Sequence, residues 1–231
     1  MIAPLLPPEM AYAEEFGDPP GGFLFPEEAA FVQRSVPVRR QEFTTVRMCA
    51  RRALATLGVA PEPLLPGHRG APRWPEGIVG SMTHCTGYRA AALARRHRIA
   101  AVGIDAEPAL PLPAGLLEAI ALPAERSHVR SLSRSSPTGV WDRLLFCAKE
   151  SVYKAVFPLT GVQLRFSDAA ITFDPAGGTF HARLLVPGIT ADTGDRAALD
   201  GKWTTSGGLL LTSVVVTAGD RTRPTDPPRR H

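Results

Sequence analysis

Residues Trp141–Pro158 read WDRLLFCAKESVYKAVFP. At a helical period of about 100° per residue, Trp141, Leu144, Leu145, Ala148, Val152 and Ala155 fall on one apolar stripe. Glu150 and Lys154 lie one turn apart on the opposite side, flanked by Phe146, Tyr153 and Phe157. A helix that is apolar on two sides is packed on both, so the Glu150–Lys154 pair is expected at the bottom of a cleft. The chain has three lysines, Lys149, Lys154 and Lys202, and two of them are here. A lysine supplies a compact charge on a flexible stem, which suits a phosphate; an arginine supplies a flat fork. A plain i,i+4 ion pair has the same spacing, and the helix alone leaves both readings open.

The 231 residues give room for one large domain or two small ones. The hydrophobic content, 44%, is that of a globular protein with a sizeable core. A net charge of +4 favours an anionic ligand without marking a nucleic-acid binder. Cys49, Cys85 and Cys147 are odd in number and lack CxxC spacing, which argues against disulfides or structural zinc and for a reducing, cytoplasmic setting. The N-terminal stretch lacks a basic region, is broken by prolines and does not read as a signal peptide. No apolar run is long enough to span a membrane.

Outward from the helix, residues 1–37 are rich in Pro, Gly and acids and read as loop, with a short helix at Glu27–Gln33. A helix from Val38 to Leu57 is closed by Gly58, and Arg39, Arg40, Arg47 and Arg51 share a broad face of it, either a solvated stripe or a phosphate-binding rim. A loop rich in proline and glycine fills 60–77. Ile78–Ser81, Tyr88–Ala94 and Ile99–Asp105 read as a small antiparallel meander, with Met82–Gly87 as a polar turn. Alternation puts Asp105 and Glu107 on one side of the third strand. Paired carboxylates repel unless a cation or proton lies between them, and oxygen donors at a strand end suit Mg²⁺ or simply face water. Helical pieces at Ala114–Ala121 and Pro123–Val129 precede the Trp141 helix. Strands at Leu164–Phe173, Phe180–Pro187, Lys202–Ser206 and Leu209–Thr217 follow it, with Gly177-Gly178 and Gly207-Gly208 as hairpin turns. The order is helix then sheet, twice, with no residue-level repeat. The reading is an α+β protein of two similar lobes, 1–107 and 108–218, each a helix plus antiparallel sheet, with the active site between them and a disordered tail over 219–231.

Taken together the pieces ask for one ligand: three acids for a divalent ion, and Lys154, His84 and the arginines for several phosphates. No Walker loop or GxGxxG is present. The blocks GSMTHCTGYRAA, VGIDAEP and WDRLLFCAKESVYKAVFPL resemble those of the 4′-phosphopantetheinyl transferases, in particular the Sfp-like type found with siderophore and polyketide synthases. The hallmark is (V/I)G(I/V)D, a spacer and (F/W)xxKE(S/A)xxK, and the likeness runs from about Arg39 to Val216.

The resemblance implies that Asp105, Glu107 and Glu150 bind Mg²⁺, and that coenzyme A is the substrate. Lys154 and His84 would contact phosphate at the reacting centre, with Glu150 as general base. Lys149 would be a further coenzyme A contact, and Ser81, Met82 and Thr83 would line the groove. Arg39 and Arg47 would grip the 3′-phosphate side, with Arg69 a basic residue nearby. The implied reaction transfers the 4′-phosphopantetheine arm to a serine of apo acyl or peptidyl carrier proteins and releases 3′,5′-ADP. Residues 109–133 would dock the carrier. A single chain completes such a site, so a monomer is expected, with neither nucleic acid nor membrane as partner. Two other readings compete with it. One is a Mg²⁺-dependent hydrolase of coenzyme A or a nucleotide pyrophosphate. The other is a basic binding module, which leaves the DAE and KESVYK blocks unexplained.

Overall fold

In the computed structural model, residues 1–186 and 198–221 are described. Two antiparallel sheets lie between two long helices. The first sheet has the order β1 (Ala11–Phe16), β3 (Tyr88–Arg95), β2 (Ile78–Cys85). The second has the order β4 (Ile99–Pro108), β8 (Leu209–Thr217), β7 (Ala198–Ser206), β6 (Thr179–Leu184), β5 (Ala169–Asp174). Helices α1 (Pro26–Val32) and α2 (Pro37–Thr56) serve the first sheet. Helices α3 (Leu116–Ile120), α4 (Pro123–Ser135) and α5 (Trp141–Thr160) serve the second. The expected α+β plan of two lobes, each a helix on an antiparallel sheet, is what the chain adopts.

Strand β3 is apolar on both faces because both are covered. Tyr88, Ala90, Ala92 and Ala94 pack with Val102, Ile104 and Ala106 of β4, while Ala91 and Leu93 pack with Cys49, Ala53 and Leu54 of α2. The six apolar residues of the α5 stripe all enter the largest core cluster. Helix α5 lies directly on β4 at Gly103, where a Cβ would collide with the Ser151 carbonyl and the Ala155 amide nitrogen. That approach is what brings the end of β4 against the polar side of α5.

Several boundaries and pairings differ from the sequence reading. Strand β4 does not complete a meander with β3; it pairs with β8 from Ile99 to Pro108. Its other edge meets β2 through side chains: Ile104 N donates to Ser81 Oγ and Ala106 N to Thr83 Oγ1, each at 3.1 Å. Hydroxyls thus take the place of ladder carbonyls, which alternation of apolar residues cannot reveal. Strand β2 runs on to Cys85, so Thr83 and His84 stand on a strand rather than in a turn. Strand β1 lies in a segment read as loop. Ala169 begins the strand expected from Leu164, and β7 starts at Ala198. The glycine pairs do form hairpin turns, with Gly178 at φ +61° and Gly207 and Gly208 at +57° and +76°. The expected tail lies almost wholly outside the described residues.

A residue-level repeat is also present. Phe25–Val32, FPEEAAFV, and Leu122–Val129, LPAERSHV, each place Pro at the first helical position and a buried Glu two residues later. Glu28 accepts from Phe25 N at 2.9 Å and Glu125 from Leu122 N at 2.7 Å. The two stretches share only three identities, so sequence likeness alone does not expose them.

Candidate active site

Asp105, on the α5-facing side of β4, is 5% exposed. Its Oδ1 accepts from Lys154 Nζ at 2.7 Å and from Thr83 Oγ1 at 3.2 Å. Its Oδ2 is buried with no hydrogen-bond partner among the described residues. Lys154 also donates to the Ile104 carbonyl at 3.2 Å. Glu107 is held by Arg143, whose Nη1 donates to Oε2 at 2.9 Å. Glu150 is half-buried one turn before Lys154. Burial pushes its carboxyl above the usual range; Lys154 draws it back, and Asp105 and Glu107 push it further up. Burial and Asp105 likewise raise Glu107, against the pull of Arg143. Burial alone would depress the Lys154 ammonium, but Asp105 and Glu150 hold it above its ordinary value. The three acids therefore feel one another's charge. Among the described residues they do not form a gathered ligand cluster, because Arg143 engages Glu107 and Lys154 engages Asp105. The all-oxygen donor set and the orphaned Oδ2 nonetheless fit a hard divalent cation.

Beside this cluster lies a cavity of about 600 Å³ between α2, the loop at 66–74, β2 and α5. Of the residues singled out in the sequence, Arg39, Arg47, Arg69, Ser81, Met82, His84 and Lys154 all line it. Arg39 Nη1 and His84 Nε2 are 2.5 Å apart. An arginine can only donate, so Nε2 is the acceptor and the imidazole is neutral. Burial, then the charge of Arg39, keeps the His84 pKa below its usual value. Arg69 sits at φ +56°, in the left-handed region that side chains rarely adopt, within a tight turn of the proline-rich loop.

Two expected members stand outside this cavity. Thr83 turns away from the cavity to bond Asp105 and Ala106. Lys149 is buried on the far side of α5 from Lys154. Its ammonium is paired with Glu125 at 2.9 Å and donates to the Phe166 and Ala169 carbonyls at 2.5 and 2.8 Å. An ammonium has three N–H groups, and these three acceptors use them all, so its charge is paired within the protein.

The cavity has an aromatic wall of Phe43, Trp74, Tyr153 and Phe157. The sequence reading had Tyr153 and Phe157 flanking the Glu150–Lys154 pair but missed Phe43 and Trp74, and it missed His68, which stacks on Phe157 with centroids 6.1 Å apart. It also missed Arg143. Nothing in the sequence marks His68; Arg143 could have been found as a basic residue two turns before Glu150 on the same helix. A second cavity of about 610 Å³ opens across Glu150, lined by Lys149, Tyr153, Gln163, Leu164, Arg165, Phe166 and Ala169. Tyr153 borders both.

The chain matches two family models. The 4′-phosphopantetheinyl transferase N-terminal domain covers residues 27–94, and the 4′-phosphopantetheinyl transferase superfamily covers residues 101–197. It is 52% identical over 221 residues to 4′-phosphopantetheinyl transferase Svp of Streptomyces mobaraensis, covering 94% of this chain and 90% of that one. It is 50% identical over 225 residues to PptT of Mycobacterium tuberculosis, covering 94% and 98%. It is 45% identical over 222 residues to Npt of Nocardia iowensis, covering 93% and 99%. Both of those relatives are also named 4′-phosphopantetheinyl transferases. Among the described residues, no helix is long and apolar enough to cross a membrane.

Proposed function

Because the chain belongs to the 4′-phosphopantetheinyl transferase family, we propose that it moves the phosphopantetheine arm of coenzyme A onto a serine of apo acyl or peptidyl carrier proteins. The observation that carries this reading is the cavity in which Arg39, Arg47, His84 and Lys154 meet beside the Asp105–Glu107–Glu150 carboxylates. A ligand with a 3′-phosphate and a pyrophosphate suits those cations. The arm suits the second cavity, where Leu164 and Phe166 offer apolar surface beyond Glu150.

The chemistry balances as a phosphoryl transfer. The serine oxygen forms a bond to the β-phosphorus, the bond from that phosphorus to the bridging oxygen breaks, and 3′,5′-ADP leaves. Glu150, its pKa raised by burial, accepts the hydroxyl proton. Lys154 and His84 stabilise charge on the phosphoryl oxygens, the main catalytic need in such a transfer. Arg39 and Arg47 bind the 3′-phosphate side, and Arg69 adds charge at the rim. Ser81 and Met82 form the floor. Asp105, Glu107 and Glu150 are the residues that would hold Mg²⁺, which when bound neutralises the pyrophosphate. The carrier docks on residues 109–133, where Leu110 is 63% exposed. The enzyme acts as a cytoplasmic monomer, in keeping with three cysteines that all remain thiols.

The test is mass spectrometry of an apo carrier protein incubated with coenzyme A, Mg²⁺ and this protein. The carrier should gain one phosphopantetheine arm, and Glu150→Gln and Asp105→Ala should abolish the gain. A gain that persists in both variants would falsify these roles. Release of 3′,5′-ADP without a carrier would favour the hydrolase reading instead.

A further inference from the structure

Arg47 reaches the cavity from the middle of α2, and two contacts fix it. Its Nε donates to the Leu64 carbonyl at 3.1 Å, and its guanidinium carbon stands 3.1 Å from the centre of the Phe43 ring. Its two terminal nitrogens have no protein acceptor among the described residues. The carbonyl that holds Nε is itself held, because Leu64 N donates to Glu28 Oε1 at 2.9 Å. Glu28 is fully buried in α1. Both of its oxygens accept from Arg51 Nη1, at 3.1 and 3.0 Å, and Oε2 accepts from Phe25 N. Arg51 Nη2 donates to the Phe23 carbonyl at 2.5 Å. Arg51 follows Arg47 by one helical turn, so both project from the same side of α2. One carboxylate therefore ties together α1, α2 and the start of the proline-rich loop that walls the cavity.

Charge points the same way. Burial pulls the Arg47 guanidinium down to about 9, Arg39 and Arg51 add to that, and Glu28 is the group that pulls it back up. Glu28 thus lies close enough to act on the one cation of α2 that is both buried and open to the cavity. The unpaired ends of Arg47 form a fork suited to a phosphate dianion.

We propose that Glu28 is a positioning residue for coenzyme A: by fixing the Leu64 carbonyl it aims the Arg47 guanidinium at the 3′-phosphate. This rests on the reading of Arg47 as a 3′-phosphate ligand. The arrangement makes Glu28, a residue that touches no substrate, a determinant of the preference for coenzyme A over 3′-dephospho-coenzyme A.

The test is calorimetric titration of the full chain with each of those two ligands. In Glu28→Gln the Kd for coenzyme A should rise about tenfold, the scale of one hydrogen bond to a charged group. The Kd for 3′-dephospho-coenzyme A should stay within about twofold. In turnover, KM for coenzyme A should rise far more than kcat falls. Should Glu28→Gln fail to fold, the double variant Glu28→Gln/Arg51→Gln, which leaves no unpaired buried charge, carries the same expectation. Adding Glu28→Gln to Arg47→Ala should cost no further affinity. Equal losses for both ligands, or no loss for either, would overturn the proposal while leaving Arg47 in place. An Arg47→Ala variant with unchanged preference between the ligands would overturn the reading of Arg47 itself, and Glu28 with it.

Discussion

Glu28 in α1 and Glu125 in α4 occupy matching places in the two lobes. Each is buried at the third position of a helix begun by proline, caps that helix, pairs with a cation on the following long helix, and accepts an N–H from a later segment. Leu64 supplies that N–H to Glu28, and Ile171 supplies it to Glu125 at 2.7 Å. The partners differ. Arg51 spends only Nη1 on the carboxylate and Nη2 on a carbonyl, and the cation that faces the cavity is another arginine one turn earlier. Lys149 has all three of its N–H groups paired, and the acid beside it, Glu150, lines the second cavity with it. The same device thus stands behind the cationic half of the site in one lobe and behind the carboxylate half in the other. Lys149 and Lys154 are the same residue type on one helix and differ in the acceptors in reach, three for Lys149 and two for Lys154.

The sharpest break in this comparison comes at the acid that the second lobe presents. Glu150→Gln should lower kcat for carrier modification by about 10³-fold, within the range for loss of a general base. Its folded pKa is raised, so the ionised carboxylate costs stability above that pKa and costs nothing below the unfolded value of 4.5. Denaturation should therefore find the Gln variant more stable than the parent at pH 8, with the gain vanishing towards pH 4.

Next in size is Lys149→Met, which strands Glu125 in the core and should cost about 3–5 kcal/mol in urea unfolding. Glu125→Gln/Lys149→Met, which keeps an acceptor for the Leu122 and Ile171 N–H groups, should recover part of that loss and leave KM for coenzyme A unchanged. A persistent rise in KM in a folded double variant would restore Lys149 as a substrate contact and end the contrast with Lys154.

Gly103→Ala pushes α5 off β4 and should destabilise by about 1–3 kcal/mol, as overpacking does. It should also slow transfer, because the seam sets the approach of Lys154 to Asp105. A variant of full activity would show that the seam does not position the site.

The smallest effect is at His84. Its pKa in the free protein should lie below 6.5, and Arg39→Gln should raise it, read from imidazole resonances by NMR. Stability attached to the neutral ring is present above 6.5 and is lost as pH falls through the lower folded value. An unshifted His84 in the variant would mean that Arg39 does not hold it.

Much of the site was legible before any coordinates. The α5 stripe follows from helical period, and the common side of Asp105 and Glu107 follows from strand alternation. The basic face of α2 placed Arg39 and Arg47 together. The partner of β4 was not legible, since β2 satisfies it through Ser81 and Thr83 hydroxyls. Nor was the pairing of Glu28 with Arg51, which depends on packing between α1 and α2 across a loop.

By itself the amino-acid order determined which side chains share a face of α2, α5 and β4, because backbone periodicity is local and tolerates little variation. It also placed Glu150 and Lys154 one turn apart on α5. Only the tertiary structure decided which of those charges remain available. Availability is settled by acceptors remote in the chain: Phe166 and Ala169 carbonyls for Lys149, Asp105 for Lys154, the Leu64 carbonyl for Arg47. A buried N–H takes the nearest acceptor that folding supplies, since leaving it unpaired is costly, and that acceptor is set by packing across the lobes.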